Sequence, residues 1–423
     1  MTLKRNILAN YVGAGAVAFA PILAMPWYLA ALGPKQFGLI GFIVMLQAVL
    51  GLLDAGMSQA LVREITVRLD SPDGKRHSAA ALLFGFERIY WLFGLCSGCV
   101  MVLLADIIAM HWLNLKDMPI ELGKEAIYGA AVIFAAQFPG SIYRSVLVGA
   151  QAQVTLNGIL LGGALTRHIG GVIIIFLWPT LAAYLIWHAL IALLETLIRS
   201  GFAWNALDTK RNAVSWEMSE MRSVWKLIAS MSGAVWLGAL TVQMDKIVLS
   251  RSASIDQFGY YMIASTVAVG ALQAIYPLVQ AVLPRAIQLR AEPVALRALS
   301  IKLIWIIGLS VGFAALVFIA AGEWLLNIWL KNPEAVQAVH PLLTVLLIGT
   351  AINALYNVGY INWLVHEKIH RVFQVNALAL ALSVMLIPPL VALQGSIGAA
   401  FGWLVINLIG FVLSLEWLKK KTG

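Results

Sequence analysis

The chain has 423 residues, 61% of them hydrophobic and only 12% charged, with a mean hydropathy of +0.87 and a formal net charge of +9. So apolar a composition excludes a water-soluble domain, which needs a solvated surface, and places the protein in a membrane. The positive balance is not a nucleic-acid signal, because the lysines and arginines fall mainly in the joints along one side of the apolar segments, where they meet anionic lipid.

Runs of about 20 mainly apolar residues, each long enough to cross a hydrocarbon core roughly 30 Å thick, recur along the chain. In order, the predicted spans are 10–32, 39–62, 80–108, 124–148, 156–178, 181–203, 227–250, 258–282, 300–321, 339–363, 371–393 and 396–417. The expectation is therefore an all-α polytopic fold of about twelve helices. The first span follows Lys4 and Arg5 as a signal peptide would, but it is long and lacks a clear small-residue cleavage site, so it reads as a mature helix.

Short loops rich in Lys and Arg stay cytoplasmic. One set of joints carries 21 of the 29 basic residues, from Lys4 and Arg5 through Arg63, Arg68, Lys75 and Arg76 to Lys419, Lys420 and Lys421. The alternate joints carry 6, among them Lys35, Lys116 and Lys331. Both termini are expected in the cytoplasm. Cys96 and Cys99 are spaced C-x-x-C but lie inside the third span, where they read as small packing residues rather than a redox or zinc motif. No metal site or cofactor is expected.

Gln36-Phe37-Gly38 returns as Gln257-Phe258-Gly259, and Gln59-Ala60 returns as Gln280-Ala281, both at a shift of 221 residues. That shift carries span two onto span eight with six crossings between, so the halves would share one orientation. The expected organisation is a six-helix bundle over 1–203, a cytoplasmic linker over 204–226, and a second six-helix bundle over 227–423. Trp204, Trp216, Met221 and Trp225 among charges suit a linker lying amphipathically on the membrane surface. Two parallel bundles around a cleft form an architecture suited to alternating access.

Several spans carry polar stripes. At 100° per residue, Gln47, Gly51, Asp54 and Ser58 share a face of span two, Gln137, Gly140, Ser141, Arg144 and Gln151 a face at the end of span four, and Tyr184, His188, Glu195 and Arg199 a face of span six. Glu195 and Arg199, four residues apart near the cytoplasmic end, read as an internal salt bridge. Glu87 lines up with Gly94 and Gly98 on an interface face, while Arg88 points about 100° away from it.

Arg167 lies roughly 17 Å into its span at about 1.5 Å per residue, beyond easy snorkelling, and a charge there needs compensation. Gly163 and Gly171 leave its face bare one turn to either side. Two readings stay open: an anion such as carboxylate or phosphate bound in a cleft, or an ion pair with a carboxylate such as Asp54 or Glu87. His168 reads as a hydrogen-bonded neutral imidazole more readily than as a proton relay. The second half is poorer in charge, with Asp245 and Lys246 near the outer end of span seven and an uncharged stripe of Asn353, Asn357 and Tyr360 on span ten.

The stretches PWYLAALGPKQFGLIGF at 26–42, LLDAGMSQALVREI at 52–65, QMDKIVLSRSASIDQFGYYMIAST at 243–266 and LPRAI at 283–287 resemble the bacterial O-antigen and polysaccharide flippases, Wzx-type members of the multidrug, oligosaccharidyl-lipid and polysaccharide exporter superfamily. The resemblance implies a V-shaped inner-membrane protein that moves an undecaprenyl-diphosphate-linked oligosaccharide to the periplasmic leaflet, working beside a polysaccharide polymerase and chain-length machinery. It also implies a cationic central cavity, which Arg167, Arg88 and Arg144 match, with His168 beside them. Asp54, Glu87 and Asp245 are the candidates for coupling to an ion gradient, since no G-x-x-x-x-G-K-[ST] loop is present to bind ATP.

A cation-coupled drug exporter of the same superfamily would hold its cargo with carboxylates, against which a mid-membrane arginine argues. A membrane polymerase or ligase would need a sizeable outward loop, whereas the longest, 109–123, holds little beyond His111, Lys116, Asp117 and Glu121.

Overall fold

The computed structural model describes residues 3–54, 56–71, 76–116, 118–273 and 275–418. Lys75, Asp117, Lys419, Lys420 and Lys421 lie outside them. The described chain is helical throughout, without strands: α1 Leu3–Leu50, α2 Met57–Leu69, α3 Arg76–Leu103, α4 Ala105–Ile107, α5 Ile120–Gln137, α6 Gly140–Gly149, α7 Gln153–Leu177, α8 Leu181–Ala206, α9 Met218–Ser252, α10 Ile255–Gln273, α11 Tyr276–Gln288, α12 Pro293–Leu330, α13 Pro333–Val365, α14 Ile369–Gln394 and α15 Ser396–Ser414. In hydrocarbon a helix satisfies its own backbone, and these sequences supply the apolar surface.

Among the described residues, ten helical stretches are long and apolar enough to span a membrane. The first of them, Tyr11–Asp54, holds predicted span one and the larger part of span two. α1 is 48 residues long, roughly 70 Å at 1.5 Å per residue, and bends where Gly33 leaves helical geometry at φ 74°, ψ 168°. α9 encloses the predicted seventh span. Predicted spans two, four and eight are each built from two helices. Span two passes through a 3-10 turn, Gly51–Asp54, and Gly56 at φ 86° before α2 begins. Span four breaks at Pro139, which caps α6. Span eight breaks between Gln273 and Tyr276, the position to which the 221-residue shift carries the break in span two.

The chain forms two compact units, Met1–Trp236 and Leu237–Gly423. The first unit packs around Leu61, Ile65, Phe86, Tyr90, Phe134 and Tyr143, all nearly inaccessible. The second packs α12 on α13 through Leu303, Ile307, Val358 and Ile361. Large apolar side chains such as Trp305, Leu309, Phe313 and Leu316 on α12 point outward, as a lipid-facing helix requires.

The linker differs from its expected form. α8 continues to Ala206, a single 3-10 turn covers Arg211–Ala213, and α9 already begins at Met218. Trp204, Met221, Val224 and Ile228 are buried in the first unit's core, so only Trp216 and Trp225 of the expected surface stripe are exposed. Met221 fits against Gly85, where a Cβ would collide with its sulfur. The apolar stripe packs on protein rather than lipid because α2 and α3 offer it both a notch and charges: Arg68 donates to Glu220 at 2.9 Å and to Ser223 at 3.2 Å.

Candidate functional site

One group of polar residues in the first unit gathers where α1, α7 and α8 meet. Arg167 on α7 donates Nη2 to Glu195 Oε1 of α8 at 2.9 Å, and Arg199, one turn further along α8, donates Nη2 to Glu195 Oε2 at 2.7 Å. One carboxylate thus serves two guanidiniums, and the cluster carries a formal excess of one positive charge. The side chains of Glu195, Arg199 and Arg167 are 11, 13 and 23% exposed, so the charges are strongly but not wholly withdrawn from the surface. Neither Asp54 nor Glu87 is the partner of Arg167.

Helix α7 lacks side chains where this arrangement needs space. A Cβ on Gly163 would overlap the Glu195 carboxyl, and a Cβ on Gly171 would overlap the Tyr28 hydroxyl. The bare face read from the sequence is filled by these neighbours. Trp187 donates its indole N–H to the carbonyls of Thr166 and Arg167 at 3.2 and 3.1 Å, fixing the backbone beside the guanidinium.

His168 turns toward a second group. Tyr28 on α1 donates to the His168 carbonyl at 3.3 Å, and its oxygen lies 3.5 Å from His168 Nδ1. His188 stacks on Tyr184 with ring centroids 3.9 Å apart and meets His168 edge to face at 5.7 Å.

Four buried polar atoms here have no hydrogen-bond partner among the described residues: Arg167 Nε, Arg199 Nε, His188 Nε2 and Thr196 Oγ1. A guanidinium offers five donors, and leaving them unused inside a helix bundle is costly. The cluster therefore has spare donor capacity of the kind that phosphate or carboxylate oxygens satisfy. An apolar groove of about 560 Å³ runs alongside between α7 and α8, lined by Ile159, Gly162, Leu194 and Phe202, with Glu195 in its wall.

The other candidate residues do not join this cluster. Arg88 is exposed, its guanidinium 3.7 Å from the centre of the Phe84 ring and 6.0 Å from that of Trp216 in the linker. Arg144 is exposed on α6, within electrostatic range of Arg199. Glu87 is buried, accepts from Tyr143 at 2.5 Å and lies 3.0 Å from Arg211 of the linker. Asp54 ends the 3-10 turn in span two and accepts from Ser58 at 2.8 and 2.6 Å and from Tyr90 at 2.5 Å, with no basic partner among the described residues. Asp245, in the second unit, accepts from the Lys246 amide at 2.8 Å, Lys246 Nζ at 3.1 Å and Tyr261 at 2.5 Å.

Sequence reading missed Tyr28, Tyr90 and Tyr143, whose hydroxyls complete these polar groups from other helices. It placed Glu195 only with Arg199, because an i, i+4 pair is visible along one helix and a cross-helix partner is not.

No known family profile matches the chain. A protein of Shigella flexneri described as "Putative O-antigen transporter" is 22% identical over 426 residues, covering 99% of this chain and 98% of that protein. Among solved structures, the lipid II flippase MurJ in its inward closed conformation superposes with a TM-score of 0.74 at 15% identity, over 96% of this chain and 86% of that one. An inward-facing multidrug resistance MATE family transporter of the MOP superfamily matches at TM-score 0.74 and 15% identity, over 96% of both chains. The Vibrio cholerae MATE transporter VcmN in its bent form matches at 0.62 and 15% identity, over 98% of this chain and 95% of that one. The chain is a multi-pass membrane protein that is similar along its full length to the Shigella flexneri protein described as "Putative O-antigen transporter" and carries the fold of MOP-superfamily transporters.

Proposed function

We propose that the protein is a flippase that moves a polyprenyl-diphosphate-linked oligosaccharide, an O-antigen or related repeat unit, across the bacterial inner membrane by alternating access. The observation that carries this reading is the pair of arginines sharing one carboxylate deep in the first unit, in a chain similar end to end to a protein described as "Putative O-antigen transporter". A diphosphate is the headgroup that such a cluster suits: it brings several oxygens to guanidinium donors that lack partners, and it neutralises the excess positive charge. Arg167 is the central binding residue, with Arg199 and Glu195 beside it, His168 adjacent, and Arg144 and Arg88 outlying. The lysine and arginine bias of the joints supports cytoplasmic termini.

A cation-coupled drug exporter is the second reading, favoured by the MATE-like fold. The cationic cluster opposes it, since it would repel a cationic drug. A membrane-bound polymerase or ligase is the third, and it lacks a sizeable outward loop for its chemistry.

The test is reconstitution into liposomes with a labelled polyprenyl-diphosphate oligosaccharide, following its access to a membrane-impermeant reagent. Wild-type protein is expected to speed the exchange between leaflets, and Arg167→Ala to abolish most of that gain. Export of cationic drugs without any movement of the lipid-linked glycan would replace the flippase with the drug exporter.

A further inference from the structure

Beside the arginine cluster stand two imidazoles whose titration the anion reading leaves unused. His188 is 7% exposed, and its Nε2 has no hydrogen-bond partner among the described residues. His168 lies 5.7 Å from it, ring centre to ring centre, and the Tyr28 hydroxyl lies 3.5 Å from His168 Nδ1. An imidazole stacked on Tyr184 serves packing, yet an aromatic residue would pack there without leaving a buried nitrogen unpaired.

The groups facing the pair are few. Tyr28 comes from α1 and Arg167 from α7. Tyr184 comes from α8, with Glu195 and Arg199 on the same helix beyond Arg167. Helix α5, packed behind α8, presents Gly129 to Leu185. With both imidazoles neutral, the neighbourhood holds two guanidiniums and one carboxylate, an excess of one positive charge. Burial above all, and that excess with it, opposes a further proton. An entering diphosphate carries two or more negative charges and reverses the sign, so a proton on one ring becomes favourable. The closeness of the rings limits the uptake to one.

We propose that His168 and His188 form a proton-accepting pair that takes up one proton when an anionic headgroup binds at Arg167. Release of the headgroup then releases the proton, which makes cargo binding responsive to pH. The inference rests on the flippase reading for its ligand and on the geometry of the pair for the rest.

The experiment is isothermal titration of the full-length protein in lipid nanodiscs with undecaprenyl diphosphate at pH 8, in two buffers of different ionisation enthalpy. At that pH the phosphate groups, whose last ionisation falls near 6, are already ionised, so net uptake comes from the protein. The expected result is an uptake of up to about one proton per ligand in wild type, lost in His188→Gln while binding persists, and lost in His168→Gln as well. Binding without uptake in wild type would overturn the proposal and leave the flippase reading standing, and this outcome needs no variant to fold. Uptake unchanged in both folded variants would also overturn it. Absence of binding at any pH would remove the flippase reading and this inference with it.

Discussion

Glu195 on α8 lies between Arg167, which reaches it from α7 at 2.9 Å, and Arg199, one turn along its own helix at 2.7 Å. It pairs with both guanidiniums at once, so the stability of the two depends on it. Breaking a buried pair by removing one partner typically costs about 3 to 5 kcal/mol, because a charge is left uncompensated. Since these side chains retain some exposure, Glu195→Gln is expected to destabilise the protein by about 2 to 3 kcal/mol, read as a lowered thermal midpoint in detergent. Arg167→Ala, which leaves Glu195 paired with Arg199, should cost less stability and more transport.

Gly163 and Gly158 provide a matched pair on one helix. Gly163→Ala should displace the Glu195 carboxyl and destabilise by about 1 to 3 kcal/mol, the usual cost of overpacking. A Cβ at Gly158 meets nothing within 4 Å, so Gly158→Ala should be neutral or stabilise the helix by up to about 1 kcal/mol. Equal effects on the thermal midpoint would show that the Gly163 seat does not matter.

The fastening of the linker to α2 and α3 is open to proteolysis. The Arg68 side chain is 9% exposed and donates to Glu64, Ser78, Glu220 and Ser223. Arg68→Ala is expected to cost about 2 kcal/mol and to speed cleavage of the segment between α8 and α9 by a soluble protease. Cleavage at the wild-type rate would place the anchoring elsewhere, on Arg211 with Glu87 or on Met221 against Gly85.

Asp245 and Lys246 are buried together, with side chains 4 and 8% exposed. Asp245→Ala strands the lysine and should destabilise by about 3 kcal/mol, whereas the double change Asp245→Ala, Lys246→Met should recover much of the loss. Transport by a folded double variant would assign the pair to structure. A folded double variant that no longer moves cargo would keep Asp245 as a coupling group.

The crossings and the all-helical fold were legible because hydrocarbon imposes one strong rule, about 20 apolar residues per span. The breaks were harder to see. The break at Gly33 falls in the predicted joint between spans one and two, but Gly56 adopts positive φ inside predicted span two, and Pro139 divides span four without any change in composition. The linker was half legible: its charges mark a joint, but the burial of Met221 depends on the notch at Gly85 of α3, a partner that one sequence does not display. Within the site, the stripe of Tyr184, His188, Glu195 and Arg199 could be read along a single helix. The link from Glu195 to Arg167 joins two helices across 28 residues of sequence, and periodicity along one helix carries no information about such a partner.

The most direct test of the central claim is made in the native host. The gene is deleted, surface polysaccharide and the sidedness of its lipid-linked repeat unit are measured, and the cells are complemented with wild type or Arg167→Ala. The account predicts loss of surface polysaccharide with repeat units accumulating toward the cytoplasm, rescued by wild type and not by an Arg167→Ala protein that inserts normally. Repeat units that reach the periplasm but remain unpolymerised, or full rescue by Arg167→Ala, would contradict it.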